Sequence, residues 1–367
     1  DAGDTIIIDN DSDELSAYVS DITNGRLVLD DQNVTVNSAL GVSVADARSI
    51  ANDTSGTVTA TIASGSRIAA LTTLYNPGDG NETNAWTIAI NSADAANEVT
   101  AADLNTLNSA TTVAVDVDEI TELKASDLDD LSTFHTNRAD FDNTGGIATI
   151  NISDNGASGD GTAVDYSTLE DIVDNFRAAG DAGINTSAVF KFADGDDIAI
   201  DNDSDELAAY VADITSGALA LTNQTVTVNS GLGVSVTDAR SIANDTSGTV
   251  TATIDSSSRI AALTTLHNTG SGTETNAWTI AINSADAENE VTAADLNTLN
   301  SATTVAVDVN EVTELKASDL DDLSTFHTNR ADFDNTGGIA TINISDNGAS
   351  GDGTAVDYST LEDIVDN

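Results

Sequence analysis

The chain has no cysteine, no methionine and a single proline in 367 residues, and only 4% of its residues are aromatic. The lack of cysteine excludes a disulfide framework and any thiolate metal site. Basic side chains are also scarce, with 11 Lys and Arg against 62 Asp and Glu and a net charge of -51. Such a surface repels the phosphates of nucleic acids and anionic lipids, so we expect no nucleic acid partner. The sequence also lacks an apolar run long enough for a membrane span and a recognisable signal peptide.

The residues that are present still predict a folded protein. Hydrophobic residues make up 40% of the chain, which is enough to bury a core, so the high charge does not indicate a disordered acidic tail. Because aromatic residues are few, thin layers of small side chains that stack regularly are favoured over one large core.

The most informative feature is internal repetition. Residues 1–175 recur almost letter for letter as residues 193–367, and Thr121–Asn175 returns unchanged as Thr313–Asn367. The sequence therefore predicts a first repeat unit over residues 1–192 and a second, incomplete unit over 193–367. We expect these units to be a window of a longer array. Repetition is typical of a structural building block, because an active site is rarely needed twice.

A weaker repeat of roughly 27 residues lies inside each unit, in which a β-patterned run is followed by a helical one. The predicted strands are Val34–Asn37, Thr57–Ile62, Trp86–Asn91, Val113–Val117, Ile147–Ile152 and Val189–Phe192, with Thr5–Asp9 and its copy Asp197–Asp201. The predicted helices are Glu14–Ile22, Val44–Asn52, Ser66–Tyr75, Ala101–Ser109, Ser126–Phe134 and Ser167–Phe176, with Thr100, Ser126 and Ser167 as N-terminal caps.

A strand and a helix in about 27 residues place successive strands side by side and parallel, with right-handed crossovers. The predicted fold class is therefore α/β, a right-handed parallel β/α solenoid with an outline like that of leucine-rich repeats. Polar residues follow consecutive strands, as at Asn37, Ser64, Asn91 and Asp116. We interpret them as a ladder that bonds the backbone of the neighbouring turn, although Asn, Ser and Asp are also ordinary turn residues.

Dense acidic turns predict Ca²⁺ as the cofactor, since calcium prefers oxygen ligands. The run from Asp9 to Glu14 alternates carboxylates but lacks the glycine of an EF-hand loop at its sixth position, and its acids could instead cap the following helix. A second acidic turn follows Asp140, and further acids crowd the region after Asp154. The candidate metal ligands are Asp9, Asp11, Asp13, Glu14, Asp140, Asp142, Asp154, Asp160, Asp201, Asp203, Asp205, Glu206, Asp332 and Asp334.

Two insertions rich in Gly, Asp and Asn, Thr136–Gly146 and Asp154–Val164, are candidates for loops on one face of the solenoid. They support an alternative hypothesis, a module that binds cell-surface glycans or another surface ligand. Its aromatic platforms would be Trp86 and Trp278 or Tyr166 and Tyr358, although alternation places Trp86 in the strand layer.

Catalytic motifs are weak. The three histidines, His135, His267 and His327, have no spacing for a metal pair, and the sequence contains no nucleophile elbow and no phosphate-binding glycine loop. We therefore expect no enzymatic activity and assign no catalytic residue.

The segments Val99–Leu107 and Gly56–Thr61 resemble segments of very large tandem-repeat proteins of marine bacteria and cyanobacteria. The resemblance covers most of each unit and implies an extracellular adhesin, surface-layer or cell-surface filament component, often found with calcium-binding repeats. The expected function is thus a structural rod or filament at the cell surface, stabilised by calcium, for adhesion or surface coating. Its main partner would be copies of itself, stacked end to end.

Overall fold

The computed structural model describes residues 4–9, 12–37, 41–75, 84–95, 99–153, 163–179, 184–193, 196–200, 204–229, 231, 233–267, 276–287 and 291–345. Within these ranges the protein is mixed α/β, and its paired strands are parallel. The chain divides into two compact units: unit 1 contains Asp1–Thr162 and Thr168–Ala193, and unit 2 contains Ala163–Ser167 and Asp194–Asn367.

The first half of the chain contains ten strands and seven α-helices in the described residues. The strands are β1 (Thr5–Ile8), β2 (Asn33–Val36), β3 (Val58–Thr61), β4 (Ala85–Thr87), β5 (Val115–Asp116), β6 (Glu122–Ala125), β7 (Phe141–Asp142), β8 (Thr149–Ile152), β9 (Val164–Asp165) and β10 (Val189–Phe192). The helices are α1 (Ser12–Thr23), α2 (Val44–Ala51), α3 (Ile68–Leu71), α4 (Ser92–Ala95), α5 (Ala101–Ala110), α6 (Leu128–Thr136) and α7 (Tyr166–Arg177).

The second half repeats this order over its described residues, with one additional strand after its first helix. The strands are β11 (Asp197–Ile200), β12 (Leu219–Ala220), β13 (Thr225–Val228), β14 (Val250–Thr253), β15 (Ala277–Thr279), β16 (Val307–Asp308), β17 (Glu314–Ala317), β18 (Phe333–Asp334) and β19 (Thr341–Ile344). The helices are α8 (Ser204–Ser216), α9 (Val236–Asp245), α10 (Ile260–Leu263), α11 (Ser284–Ala287), α12 (Ala293–Ala302) and α13 (Leu320–Thr328). In the part of the chain that the structure covers, no helix combines the length and apolar composition needed to cross a membrane.

Strands pair with the strand one crossover further along the chain. In unit 1, β1, β2, β3 and β4 form a parallel sheet in chain order, and Thr5 lies opposite Asn33, 28 residues later. Val34 lies opposite Val58 and Thr59 opposite Ala85, at separations of 24 and 26 residues. In unit 2, β11, β13, β14 and β15 pair with the same registers. These separations agree with the repeat of roughly 27 residues predicted from the sequence.

The core is a narrow layer between the strands and the helices. Burial alternates along β3, where Val58 and Ala60 are buried while Thr59 and Thr61 are exposed. The helices contribute small and branched side chains at helical spacing, as α5 does with Leu104 and Leu107. Burial on one strand face and one helix stripe suits a composition rich in Val, Ile, Ala and Leu.

Some predicted boundaries are confirmed and others are wrong. Thr100 caps α5 in a capping box, because its hydroxyl accepts the N–H of Asp103 and the Asp103 carboxylate accepts the N–H of Thr100. Ser126, in contrast, is not the cap of α6. Asp127 takes that place, since its carboxylate accepts the N–H of Asp129. Helix α7 likewise begins one residue before the predicted cap Ser167.

Candidate functional site

The described acids of the first predicted calcium run lie between the end of β1 and the first turn of α1. Asp9 follows β1 and is exposed, and Asp13 and Glu14 lie exposed in the first turn of α1, where acids stabilise the positive end of the helix dipole. In the second copy Asp205 is exposed while Glu206 is buried. The other predicted ligands of these runs, Asp11, Asp201 and Asp203, lie outside the described residues, as do Asp154 and Asp160.

The acidic turn at Asp140 and Asp142 is fixed by amide side chains. Asn143 has the left-handed conformation, with φ of 66°, and its Nδ2 donates to Oδ1 of Asp116 at 3.0 Å. Asn108 donates to Oδ2 of Asp140 at 3.2 Å. The second copy repeats both contacts at Asp332 and at the turn beside Asp334.

A shallow cavity lies beside this turn and is lined by Asn91, Asp116, Asp118 and Glu119. One oxygen of Asp116 already accepts the N–H of Asp118 and the amide of Asn143. Across the described ranges, no group of three or more His, Cys, Asp or Glu side chains is arranged to hold a metal ion. The calcium site stays a prediction.

The aromatic side chains proposed as glycan platforms are buried. Trp86 and Trp278 are each 1% exposed, and Tyr166 is fully buried. Tyr358 lies outside the described residues. A glycan that stacks on a ring needs an accessible face, so these three residues do not serve as platforms.

The predicted polar ladder is confirmed at Asn91, whereas Asp116 accepts a side-chain amide of the next turn and not a backbone group of it. Nδ2 of Asn91 donates to the carbonyl of Ser64 at 2.7 Å, across 27 residues of sequence, while its Oδ1 accepts the N–H of Ala93. Asn143 reaches Asp116 across the same separation of 27 residues. Each amide therefore joins one turn of the chain to the turn before it.

Further polar side chains make the same kind of bond inside the core. Asn84 accepts the buried N–H of Val58 through Oδ1 at 3.0 Å, from 26 residues away. Thr111 accepts the N–H of Trp86 at 2.9 Å and donates to its carbonyl at 2.8 Å. Neighbouring turns are thus joined by side chains where the strand ladder ends, and buried backbone groups obtain partners there.

A buried carboxylate on α4 also joins two turns, through an ion pair with a half-exposed arginine. Asp94, on α4, is 1% exposed, and its Oδ1 lies 2.8 Å from Nε of Arg67. Its Oδ2 accepts the buried N–H of Ile68 at 2.8 Å, so one carboxylate holds the start of α3 in the preceding turn. Asp286 repeats both contacts with Arg259 and Ile260, at 2.6 and 2.8 Å. Sequence reasoning missed this pair, although one of the few arginines recurs in both units before Ile-Ala-Ala-Leu.

Three carboxyl groups have a pKa above the ordinary range of Asp. Burial raises the pKa of Asp130, and the nearby charges of Asp127 and Asp129 raise it further. Asp322 repeats this arrangement, and burial alone raises the pKa of Asp245. Burial also raises the pKa of Tyr18 to about 12.

These shifts predict greater stability at mildly acidic pH. A carboxyl whose pKa is raised on folding binds its proton more readily in the folded state, so stability rises as pH falls from 7 through that raised pKa. We expect the Tm to rise as the pH falls from 7 towards the raised pKa values of these groups. The triple variant Asp130→Asn, Asp245→Asn, Asp322→Asn should lose part of this increase in a thermal melt monitored by circular dichroism. A Tm that falls steadily from pH 7 to pH 5 in the unsubstituted chain would contradict the prediction.

No family model, curated protein or solved structure matches this chain. Its function must therefore be argued from its own residues. What the described residues share is a set of bonds that join one turn of the chain to the next, repeated in both units.

Proposed function

We propose that the protein is a structural tandem-repeat protein whose units form a right-handed parallel β/α solenoid. In this proposal the solenoid is a rod or filament at the outer surface of the cell, where it serves adhesion or surface coating. The proposal depends above all on one observation: polar side chains of one turn bond backbone groups of the adjacent turn, at separations of 22 to 28 residues.

Hydrogen bonds between neighbouring turns allow the chain to be lengthened by further copies of the unit. When each turn contacts only its neighbours, stability accumulates along the chain, and copies can be added without redesign of a central core. The second unit repeats these bonds: Asn276 makes the bond that Asn84 makes in the first unit, and Thr303 makes the bond of Thr111. A protein selected for length benefits from this property, whereas one selected for a single binding site does not need it.

Calcium binding remains part of the proposal. The net charge of -51 repels itself along a rod, and a bound divalent cation would reduce that repulsion. The ligands would come from the alternating acids Asp9, Asp11 and Asp13 and from the segment that contains Asp154 and Asp160. In this proposal calcium acts at those acidic segments and not in the sheet.

Electron microscopy of the native, full-length assembly tests this function. We expect long rods with a regular axial repeat in millimolar calcium, and we expect them to loosen after chelation but to persist when magnesium alone is removed. Antibodies raised against one unit should label intact cells that make the protein. Compact particles, or labelling only after the cells are opened, would contradict the proposal. Rods that chelation leaves unchanged would contradict its calcium component alone.

A further inference from the structure

The outer face of the sheet strands β2, β3 and β4 carries no charged side chain. Burial alternates along these strands, so Val34 and Val58 lie in the core, and the outward positions are Asn33, Thr35, Thr59, Thr61, Ala85 and Thr87. The second unit repeats this face on β13, β14 and β15 with Thr225, Thr227, Thr251, Thr253, Ala277 and Thr279. An uncharged face in both units differs from the composition of the chain as a whole, which has 62 acidic residues.

The threonines of this face lie in register across the sheet. Thr35 is opposite Thr59, and Thr61 is opposite Thr87. We call these four residues and their copies in unit 2, where the same pairings recur, the threonine face; the copies are Thr227, Thr251, Thr253 and Thr279. Neighbouring strands are about 4.8 Å apart and alternate residues of one strand are roughly 6.6 Å apart, so the side chains form a grid with two fixed spacings. Because threonine is β-branched and restricted at χ1, each grid point presents a methyl and a hydroxyl group in a restricted orientation.

The hydroxyl groups of the threonine face have no hydrogen-bond partner among the described residues. Threonines elsewhere in unit 1 differ, because the hydroxyls of Thr54, Thr73 and Thr106 donate to backbone carbonyls at 2.6, 2.6 and 2.9 Å. A hydroxyl group can donate one hydrogen bond and accept two. The threonine face therefore offers its full set of donors and acceptors to whatever lies on it.

The composition of the threonine face does not suit most classes of partner. A charged ligand finds no opposite charge there, and a glycan finds no exposed ring, because Trp86 and Trp278 are buried on the inner side of β4 and β15. A protein partner would gain little, since the face lacks the large apolar, aromatic and arginine side chains that anchor interfaces. A crystal of water presents only O–H groups at regular spacing, and its binding requires neither charge nor an aromatic ring.

We propose that the threonine face binds the surface of an ice crystal. Water molecules that bond the threonine hydroxyls and lie between the methyl groups are held at two repeating spacings, close to those between oxygen atoms in planes of ice. Such an ordered layer joins the crystal without a large rearrangement. The inference goes beyond the proposed filament and does not depend on it, because it needs only the sheet of one unit. Several units on one crystal would bind with higher avidity than one.

A pair of lysine substitutions tests the role of this face. Thr59→Lys combined with Thr251→Lys places a long charged side chain in both copies of the face and holds the crystal away. Both threonines are exposed, so we expect the fold to persist. Ala45→Lys combined with Thr237→Lys is the matched control, because it adds the same charges at exposed positions of α2 and α9, outside the sheet.

Ice-affinity partitioning of the 367-residue chain measures the binding. Ice is grown slowly from a dilute, stirred solution, and the protein in the ice and in the remaining liquid is measured by tryptophan absorbance. We expect the unsubstituted chain and the helix control to enter the ice, and the variant with lysines on the sheet to show about tenfold weaker partitioning. Circular dichroism confirms that each chain is folded.

Exclusion of the unsubstituted chain from the ice would overturn this inference and needs no variant. Equal partitioning of the two folded lysine variants would also overturn it, because the threonine face would then have no special role. Either result leaves the proposed function standing, since the filament is tested by its rods and not by its affinity for ice.

Discussion

Replacing Asp94 with alanine should lower the free energy of unfolding of unit 1 by about 3 kcal/mol. The substitution removes the carboxylate that accepts the buried Ile68 N–H and that pairs with the Arg67 guanidinium. Arg67 is 48% exposed and its charge can return to water, so we place the loss at the lower end of the range for broken buried pairs. Asp94→Asn retains an oxygen for the Ile68 N–H and should cost less, about 1–2 kcal/mol.

Urea unfolding followed by tryptophan fluorescence measures this loss. Each unit has one buried tryptophan, so a Trp278→Phe background leaves Trp86 as the reporter of unit 1. Asp31→Asn is the matched control, because it also removes one negative charge at an exposed site where the second unit has Asn223. An Asp94→Ala midpoint equal to that of Asp31→Asn would show that the buried pair does not hold the turns together.

Replacing Gly56 with alanine should destabilise unit 1 by about 2–3 kcal/mol. A Cβ atom at this position would lie 2.3 Å from the carbonyl oxygen of Gln32, and the same atom at Gly248 would lie 2.2 Å from that of Gln224. The obstructing atoms are backbone of the preceding turn, which no side-chain rotation can relieve. Two adjacent turns must therefore separate, and the bond from Thr54 Oγ1 to the Gln32 carbonyl is stretched with them.

Gly65→Ala serves as the control for that substitution. A Cβ atom at Gly65 meets no atom within 4 Å, and the second unit has Ser257 at the same position. We expect a change within about 0.5 kcal/mol for this variant, measured in the same urea titration. Equal midpoints for the two glycine variants would contradict the close approach of adjacent turns.

The sequence predicts the long, regular elements well, because they follow from side-chain periodicity. The predicted strand Val189–Phe192 has those bounds in the structure, and the predicted helix Ala101–Ser109 ends one residue later. Strands of two residues, such as β7 and β9, are not predictable in this way. Their extended conformation depends on pairing with a neighbouring turn, and two residues show no alternation.

The most important element that the sequence did not predict is the strand β6. Its sequence Glu-Leu-Lys-Ala has no β-branched residue, so propensity gives no strand there. Leu123 and Ala125 are buried because β6 pairs with β8, 27 residues further along the chain. Tertiary pairing has overridden local preference.

The candidate site is less predictable than the fold. A high local frequency of Asp and Glu in the sequence indicates cation binding. It does not distinguish an acidic side chain that is exposed from one that is buried and paired. Asp94 lies in the sequence Ser-Ala-Asp-Ala, which resembles the solvent-exposed first turn of a helix. Its partner Arg67 is 27 residues earlier. Only the spacing of one turn, applied to the few arginines, could have connected the two residues.

The central claim, that these units extend as a stack of turns, is tested most directly by small-angle X-ray scattering. Chains that join two, four and six copies of residues 1–192 would be compared in about 0.5 M NaCl. Neighbouring strands are about 4.8 Å apart and each unit has about seven turns, so the maximum dimension should grow by about 34 Å for each added unit. A radius of gyration that grows only as about the 0.38 power of chain length would indicate compact globules and contradict the stack.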